Sequence, residues 1–247
     1  MSINALAGPR VVEHLVDVVL MFEGDRQHVL RMLRGIKNRF GSTSELGLFA
    51  MEGEGLVAVE DPSRALLAER PVEAPGSAVV CAVEGSRPLL VEVQALLVRS
   101  FGTPRRVVSG LDPHRVSLVL AVLERYLGAR VSEMDAYFKL TGGVSLDDPA
   151  LDLGVLAAAW SNLTGRAIGP DWVLAGEVGL TGELRRVARM AERLREAEQM
   201  GFKKALVPGR ISEIHPGLAV VSCEDARDAM VKLGVGRVPS PNFDGGQ

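Results

Sequence analysis

Lys37 and Arg39, in the run Lys37-Asn38-Arg39-Phe40-Gly41, are two cations at a spacing that suits chemistry on phosphates. Phosphoryl transfer disperses negative charge, and a positioned cation stabilises it. On a short β segment, side chains i and i+2 project to one face, so the two charges would act together. A solvated basic hairpin is the plainer reading of the same residues. The usual partners of phosphate chemistry are missing from the chain. It has no Gly-Lys dipeptide, hence no GxxxxGK[ST] cradle, and no HExxH, GxSxG or GxGxxG placed after a strand. His14, His28, His114 and His215 are scattered without ligand spacing. Cys81 and Cys223 form no CxxC, so no metal site is expected.

Charge is clustered although the net value over 247 residues is only −3. Arg99, Arg105, Arg106 and Arg115 have one nearby acid, Asp112. Arg185, Arg186, Arg189, Lys203 and Lys204 form a second group, interleaved with Glu192, Glu196 and Glu198, which pair well at helical spacing. Solvated helix faces explain such groups, and a local patch that attracts a phosphate backbone explains them equally. Hydrophobic residues make up 47% of the chain, too many for a disordered polymer. No apolar run reaches the roughly 18 residues of a membrane span, and no signal-peptide layout opens the sequence. A soluble cytoplasmic protein without membrane partners is expected.

These residues need elements to position them. Val11 to Phe22 is an apolar run with strand character near its end, broken at Glu23-Gly24-Asp25. His28 to Ile36 suits a strand or a short helix, and with Glu45 to Met51 and the Glu52–Gly55 turn it suggests β-hairpins. Pro62, Pro71, Pro75 and Gly76 mark residues 61 to 76 as a linker. Strands follow at 78–83 and 89–98, the second half-buried around Glu92 and Gln94, with a third at 105–109. Asp112-Pro113 opens a helix to Leu127, acid at the cap and proline in the first turn. A strand at 136–140 leads to Thr141-Gly142-Gly143, and a deeply apolar helix spans Pro149 to Leu163. A strand at 172–175 precedes a helix beginning after Gly182, with Leu184, Val187, Ala191 and Leu194 on one face. Short core strands at 205–207 and 218–221, a helix from Glu224 to Leu233 and a frayed tail complete the pattern.

The Lys37–Gly41 run resembles the KNRFG motif of the bacterial RadA (Sms) DNA-repair family. Ala7 to His14, Phe22 to Asp25, Glu45 to Met51, Arg87 to Leu96 and Gly176 to Glu183 are similar to that family in its order and spacing. The resemblance implies a zinc finger, a RecA-like ATPase and a Lon-protease-like domain in series, of which this chain would be the C-terminal portion. The implied fold class is α/β (α+β): an incomplete RecA-like β segment over residues 1–70, then a Lon-like mixed sheet with helices, of the ribosomal protein S5 domain 2-like kind, over 71–235. A flexible tail, 236–247, would follow. ATP and magnesium would belong to the full-length protein, zinc to its N-terminal finger, and no cofactor to this portion. The implied function is that of a DNA-dependent ATPase and branch-migration helicase in recombinational repair. Its partners would be single-stranded or branched DNA, a recombinase and identical subunits in a hexamer. Lys37 and Arg39 would act in trans on a neighbour's nucleotide or couple it to DNA.

A Lon protease uses a serine nucleophile and a lysine base. Its nucleophile segment resembles Asp147-Asp148-Pro149-Ala150-Leu151-Asp152, where Ala150 occupies the serine position. The lysine follows Gly-Gly-Leu in that family; here Gly182-Glu183-Leu184 is followed by Arg185, a group that stays protonated. Ser145 lies upstream of Pro149. A proteolytically inactive domain is expected, with an active Ser-Lys peptidase or an oligomerisation module without DNA affinity as the alternatives.

Overall fold

The computed structural model describes residues 15–24, 30–43, 45–53, 55–211 and 215–236. The resemblance segment Ala7–His14, Asp25, the strand start at His28 and the tail beyond residue 236 lie outside the described residues.

Four antiparallel strands form a meander: β1 (Val18–Glu23), β2 (Leu30–Asn38), β3 (Leu46–Glu52) and β4 (Gly55–Ala58), in that spatial order. The hairpins expected from this region are present, and His28–Ile36 resolves as a strand from Leu30. Met32, Leu46 and Leu48 bury one face of the meander, while Val18, Leu20 and Phe22 stay exposed on β1.

The predicted linker contains a helix, α1 (Pro62–Leu67). Its Asp61 side chain accepts the Arg64 N–H, and its Pro62, Ser63 and Leu66 are buried. Proline at the first helical position starts a helix as readily as it breaks a chain, which is why composition alone suggested a loop.

Seven strands form the second sheet: β5 (Ser77–Glu84), β6 (Arg87–Arg99), β7 (Arg106–Ser109), β8 (Met134–Leu140), β9 (Trp172–Leu174), β12 (Lys204–Pro208) and β13 (Ala219–Cys223). Their order is β13-β12-β9-β5-β6-β8-β7. β6 pairs antiparallel with β5 and β8; the contacts of β9 with β5 and β12, of β12 with β13 and of β7 with β8 are parallel. This mixed sheet with helices is the α/β class expected. β5 and the first half of β6 are buried on both alternating faces, because helices pack against them. Glu92 is therefore buried rather than half-exposed, and its carboxylate accepts from Ser77 Oγ (2.5 Å) and Gln94 Nε2 (3.2 Å).

Helix α2 (Pro113–Leu127) begins and ends as its sequence signals dictate: Asp112 accepts the His114 N–H, and Gly128 closes it at φ 78°. Helix α3 (Leu151–Thr164) is buried along Leu151–Ser161 and packs on β5 and β6. A Cβ on Gly154 would overlap Val80 Cγ2, so glycine sets that close approach. Past the end of the β8 pairing, Ser63 Oγ accepts the Leu90 N–H of β6 at 3.1 Å, so α1 completes the ladder.

Residues 183–189 are not helical. Leu184–Arg185 is a strand, β11, paired with β10 (Glu177–Val178), and helix α4 starts only at Met190, running to Gln199. Leu184 N–H bonds Glu224 O at 2.9 Å. Helix α5 (Ala226–Lys232) packs on α2 and β13. No helix among the described residues is long and apolar enough to cross a membrane.

Candidate functional site

The Lys37–Gly41 run sits where β2 leaves the meander. Lys37 and Asn38 are the last strand residues, and Arg39 already lies in the bend. The same-face expectation rested on both cations being in a strand, and only Lys37 is. Asn38 organises the turn. Its Oδ1 accepts the Phe40 N–H at 3.1 Å and its Nδ2 donates to Ser42 O at 3.3 Å, a side-chain mimic of a backbone turn. A Cβ on Gly41 would stand 3.3 Å from that amide. Asn38 and Gly41 thus shape the bend, while Phe40 is left 79% exposed. The Arg39 side chain is 76% exposed and meets Asp17 at 3.2 Å, and its N–H bonds Asp17 O. Arg34, on the same strand, ties the meander to the rest of the fold through Glu84 of β5 and Ser145 O, and pairs with Glu23 of β1 within the meander.

The nine cationic candidates separate sharply. Arg106 donates to three backbone carbonyls, those of Arg105, Met134 and Val131, and so staples β7 to the turn before β8. Arg115 makes a two-point contact with Asp152, at 3.1 and 2.7 Å. Burial pushes the Asp152 carboxyl up from its ordinary range, against the pull of Arg115. Arg185 pairs with Glu183 at 2.5 Å. Arg186 donates to Arg210 O, and Arg189 donates to the carbonyls of Gly85 and Ser86. Lys204 stands 5.4 Å above the Trp172 ring and 3.6 Å from Asp171. The side chains of Arg99, Arg105 and Lys203 have no such partner among the described residues. The second group was expected to line one helix. Instead Arg185, Arg186 and Arg189 precede α4 and Lys203 and Lys204 follow it, at opposite ends.

Ala150, at the serine position, is fully buried at the start of α3. Its N–H donates to Asp148 Oδ1 at 2.9 Å, and the Asp148 carboxylate also binds Arg193, an ion pair that sequence inspection missed. Arg185, at the predicted base position, lies on β11 with its side chain 64% exposed.

Among the described residues no three His, Cys, Asp or Glu side chains cluster as metal ligands would. Cys81 and Cys223 are separately buried, and burial pushes both thiols up, Cys223 to about 12. The shallow hollow at the starts of α2 and α3 is lined by Asp112, Asp147, Asp148 and Asp152 with Arg115, and its one cation is already held by Asp152.

No family model matches the chain. Curated relatives do. It is 49% identical over 206 residues to the DNA repair protein RadA of Bacillus subtilis, covering 83% of this chain and 45% of that protein. Against the Streptococcus pyogenes protein of the same name the identity is 52%, over 83% of this chain and 46% of the relative. Against that of Streptococcus pneumoniae it is 50%, over 83% and 49%. The chain spans about half the length of these relatives, and over those 206 residues it is a homologue of the bacterial DNA repair proteins named RadA.

Proposed function

We propose that this chain works in DNA repair as part of an ATP-driven, DNA-binding ring, to which it contributes subunit assembly and DNA contacts rather than peptide-bond chemistry. Residues 1–70 then belong to the end of a RecA-like ATPase and 71–235 to a Lon-like domain without protease activity. The ring would be a hexamer of identical chains working with a recombinase. The similarity to DNA repair proteins named RadA supports the repair role. The observation that carries the mechanism is the Asn38-organised turn. It spends Asn38 on the fold and leaves Arg39 and Phe40 facing solvent. Such a turn suits delivery of Lys37 and Arg39 to an anionic group on an adjoining subunit.

A scaffold without DNA affinity is the second reading, favoured because six of the nine cationic candidates are engaged internally. Mobility shifts with single-stranded and branched DNA across a salt series separate the two. The first reading requires binding that weakens steeply as salt rises; absence of binding leaves the scaffold. In a full-length RadA protein carrying this segment, Lys37→Ala should abolish ATP-driven strand work without dispersing the ring. Unchanged strand work removes the coupling role.

A further inference from the structure

The loop joining β6 to β7, residues 100–104, is held at both ends. Ser100 N–H bonds Glu133 O at 3.0 Å, and the Ser100 hydroxyl spans the tip, donating to Gly102 O at 3.3 Å. At the far foot, Arg105 N–H donates to Asp135 Oδ1 at 2.8 Å, and Arg105 O accepts the Ala136 N–H at 2.9 Å. The fastened loop presents Phe101, a residue 99% exposed.

A single exposed apolar side chain is ordinary; its surroundings are what matter here. Arg99 and Arg105 stand at the two feet of the loop, exposed, with no side-chain partner among the described residues. Arg99 pairs with Met134 on one side of β8, and Arg106 pairs with Ala136 on the other. The two feet are thus two strand spacings apart, about 10 Å. The register also aligns Leu96, Tyr137 and Val107 in one row across β6, β8 and β7, next to the row Gln94, Lys139 and Ser109. Leu96 and Val107 are exposed large apolar residues, and Lys139 is exposed.

A preorganised aromatic between two uncommitted cations is the arrangement that takes an unpaired nucleobase: the ring offers a stacking face and the guanidinium groups offer charge to the flanking phosphates. We infer that the Arg99–Phe101–Arg105 loop is a single-stranded DNA contact in which one base stacks on Phe101. This rests on the DNA-binding reading above and assigns it a place. At the base of the loop Arg99, Arg105 and Arg106 outnumber the acids Glu133 and Asp135, and that excess of positive charge favours a polyanion over an apolar protein surface.

The test uses the 247-residue chain with a thymidine 20-mer and a duplex of equal length. Phe101→Ala should weaken binding of the single strand about five- to hundred-fold and leave duplex binding unchanged, whereas Phe101→Tyr should retain it. Phe101→Trp should add emission, above that of Trp160 and Trp172, which the thymidine oligomer quenches. Arg99→Gln and Arg105→Gln should each reduce the slope of log affinity against log salt by about 0.7. If the parent chain binds no DNA, the DNA-binding reading falls and this site with it. If the parent binds but the alanine and glutamine variants match it and the fluorescence added by Phe101→Trp does not respond, the site alone is wrong. A drop in oligomer mass for Phe101→Ala, with DNA affinity intact, would reassign the loop to a contact between protein chains and overturn the inference.

Discussion

Arg193 grips Asp148 with both terminal nitrogens, at 2.7 and 3.2 Å, with the two side chains only 4% and 5% exposed. Asp148 accepts four bonds, and Arg193 uses four of its five N–H donors. Asp148 also accepts the N–H groups of Val83 and Ala150, while Arg193 also donates to Cys81 O and Ala188 O. The pair therefore joins β5, the start of α3 and α4 at one point. Removing one partner leaves a buried charge unmatched, which costs about 3–5 kcal/mol. Asp148→Ala and Arg193→Met should each destabilise the fold by that amount in denaturant titrations. The double variant should lose clearly less than the sum of the two. Strict additivity would mean the two charges do not sense each other.

That pair also marks where the sequence stops being informative. The ends of α2 were readable because Asp112, Pro113 and Gly128 carry their own local instructions. β5 and β6 were readable as long apolar runs, but the burial of Glu92 was not, since part of its hydrogen bonding comes from Ser77 on the neighbouring strand. Residues 183–189 misled because Leu184, Val187, Ala191 and Leu194 fit a helical stripe, although Leu184 is held in a hairpin and by Glu224 O. Local propensity yields to such tertiary bonds. At the candidate site the cations themselves were legible. Their engagement was not: Arg106 bonds carbonyls 25 and 28 residues away, and nothing in the run 105–106 announces it. Phe101 was overlooked too. Its one signal was an aromatic residue inside a Ser-Phe-Gly-Thr-Pro turn, in a chain only 4% aromatic.

Glu183 should titrate far below its neighbours. The Thr181 hydroxyl donates to its carboxylate at 2.5 Å, the Thr181 N–H at 3.1 Å and Arg185 at 2.5 Å, and the hydroxyl contact leads in lowering its pKa to about 2. Because the folded value lies below the unfolded one, this contact supports the fold above the ordinary carboxylate pKa near 4.5 and is lost as pH falls through about 2. A carbon-detected NMR titration should place the Glu183 midpoint near the lower figure. Thr181→Val should move it up toward the ordinary range. A midpoint unaffected by Thr181→Val would show that the hydroxyl does not hold the carboxylate.

Restoring a serine should not restore a protease. Ala150→Ser would place a hydroxyl at the start of α3, at a position with no solvent exposure. A serine nucleophile needs a neighbouring group that can take its proton. The base nearest in the bonding network is Arg193, which shares the Asp148 carboxylate with the Ala150 N–H. Its guanidinium stays charged at every pH of interest and is already engaged with Asp148, Cys81 O and Ala188 O. Arg185 is no substitute, being a second guanidinium, paired with Glu183 on β11. The Ala150→Ser variant should therefore digest no casein and take no label from a fluorophosphonate, as should the parent chain. Labelling at position 150 would reveal a proton acceptor beside α3 and reinstate the peptidase reading. Replacing Arg193 by lysine in the same variant sharpens the result. An amine can lose its proton when buried, but here it would still face the Asp148 carboxylate, which favours its charged form. Casein should stay intact with that variant too, since position 150 has no solvent exposure.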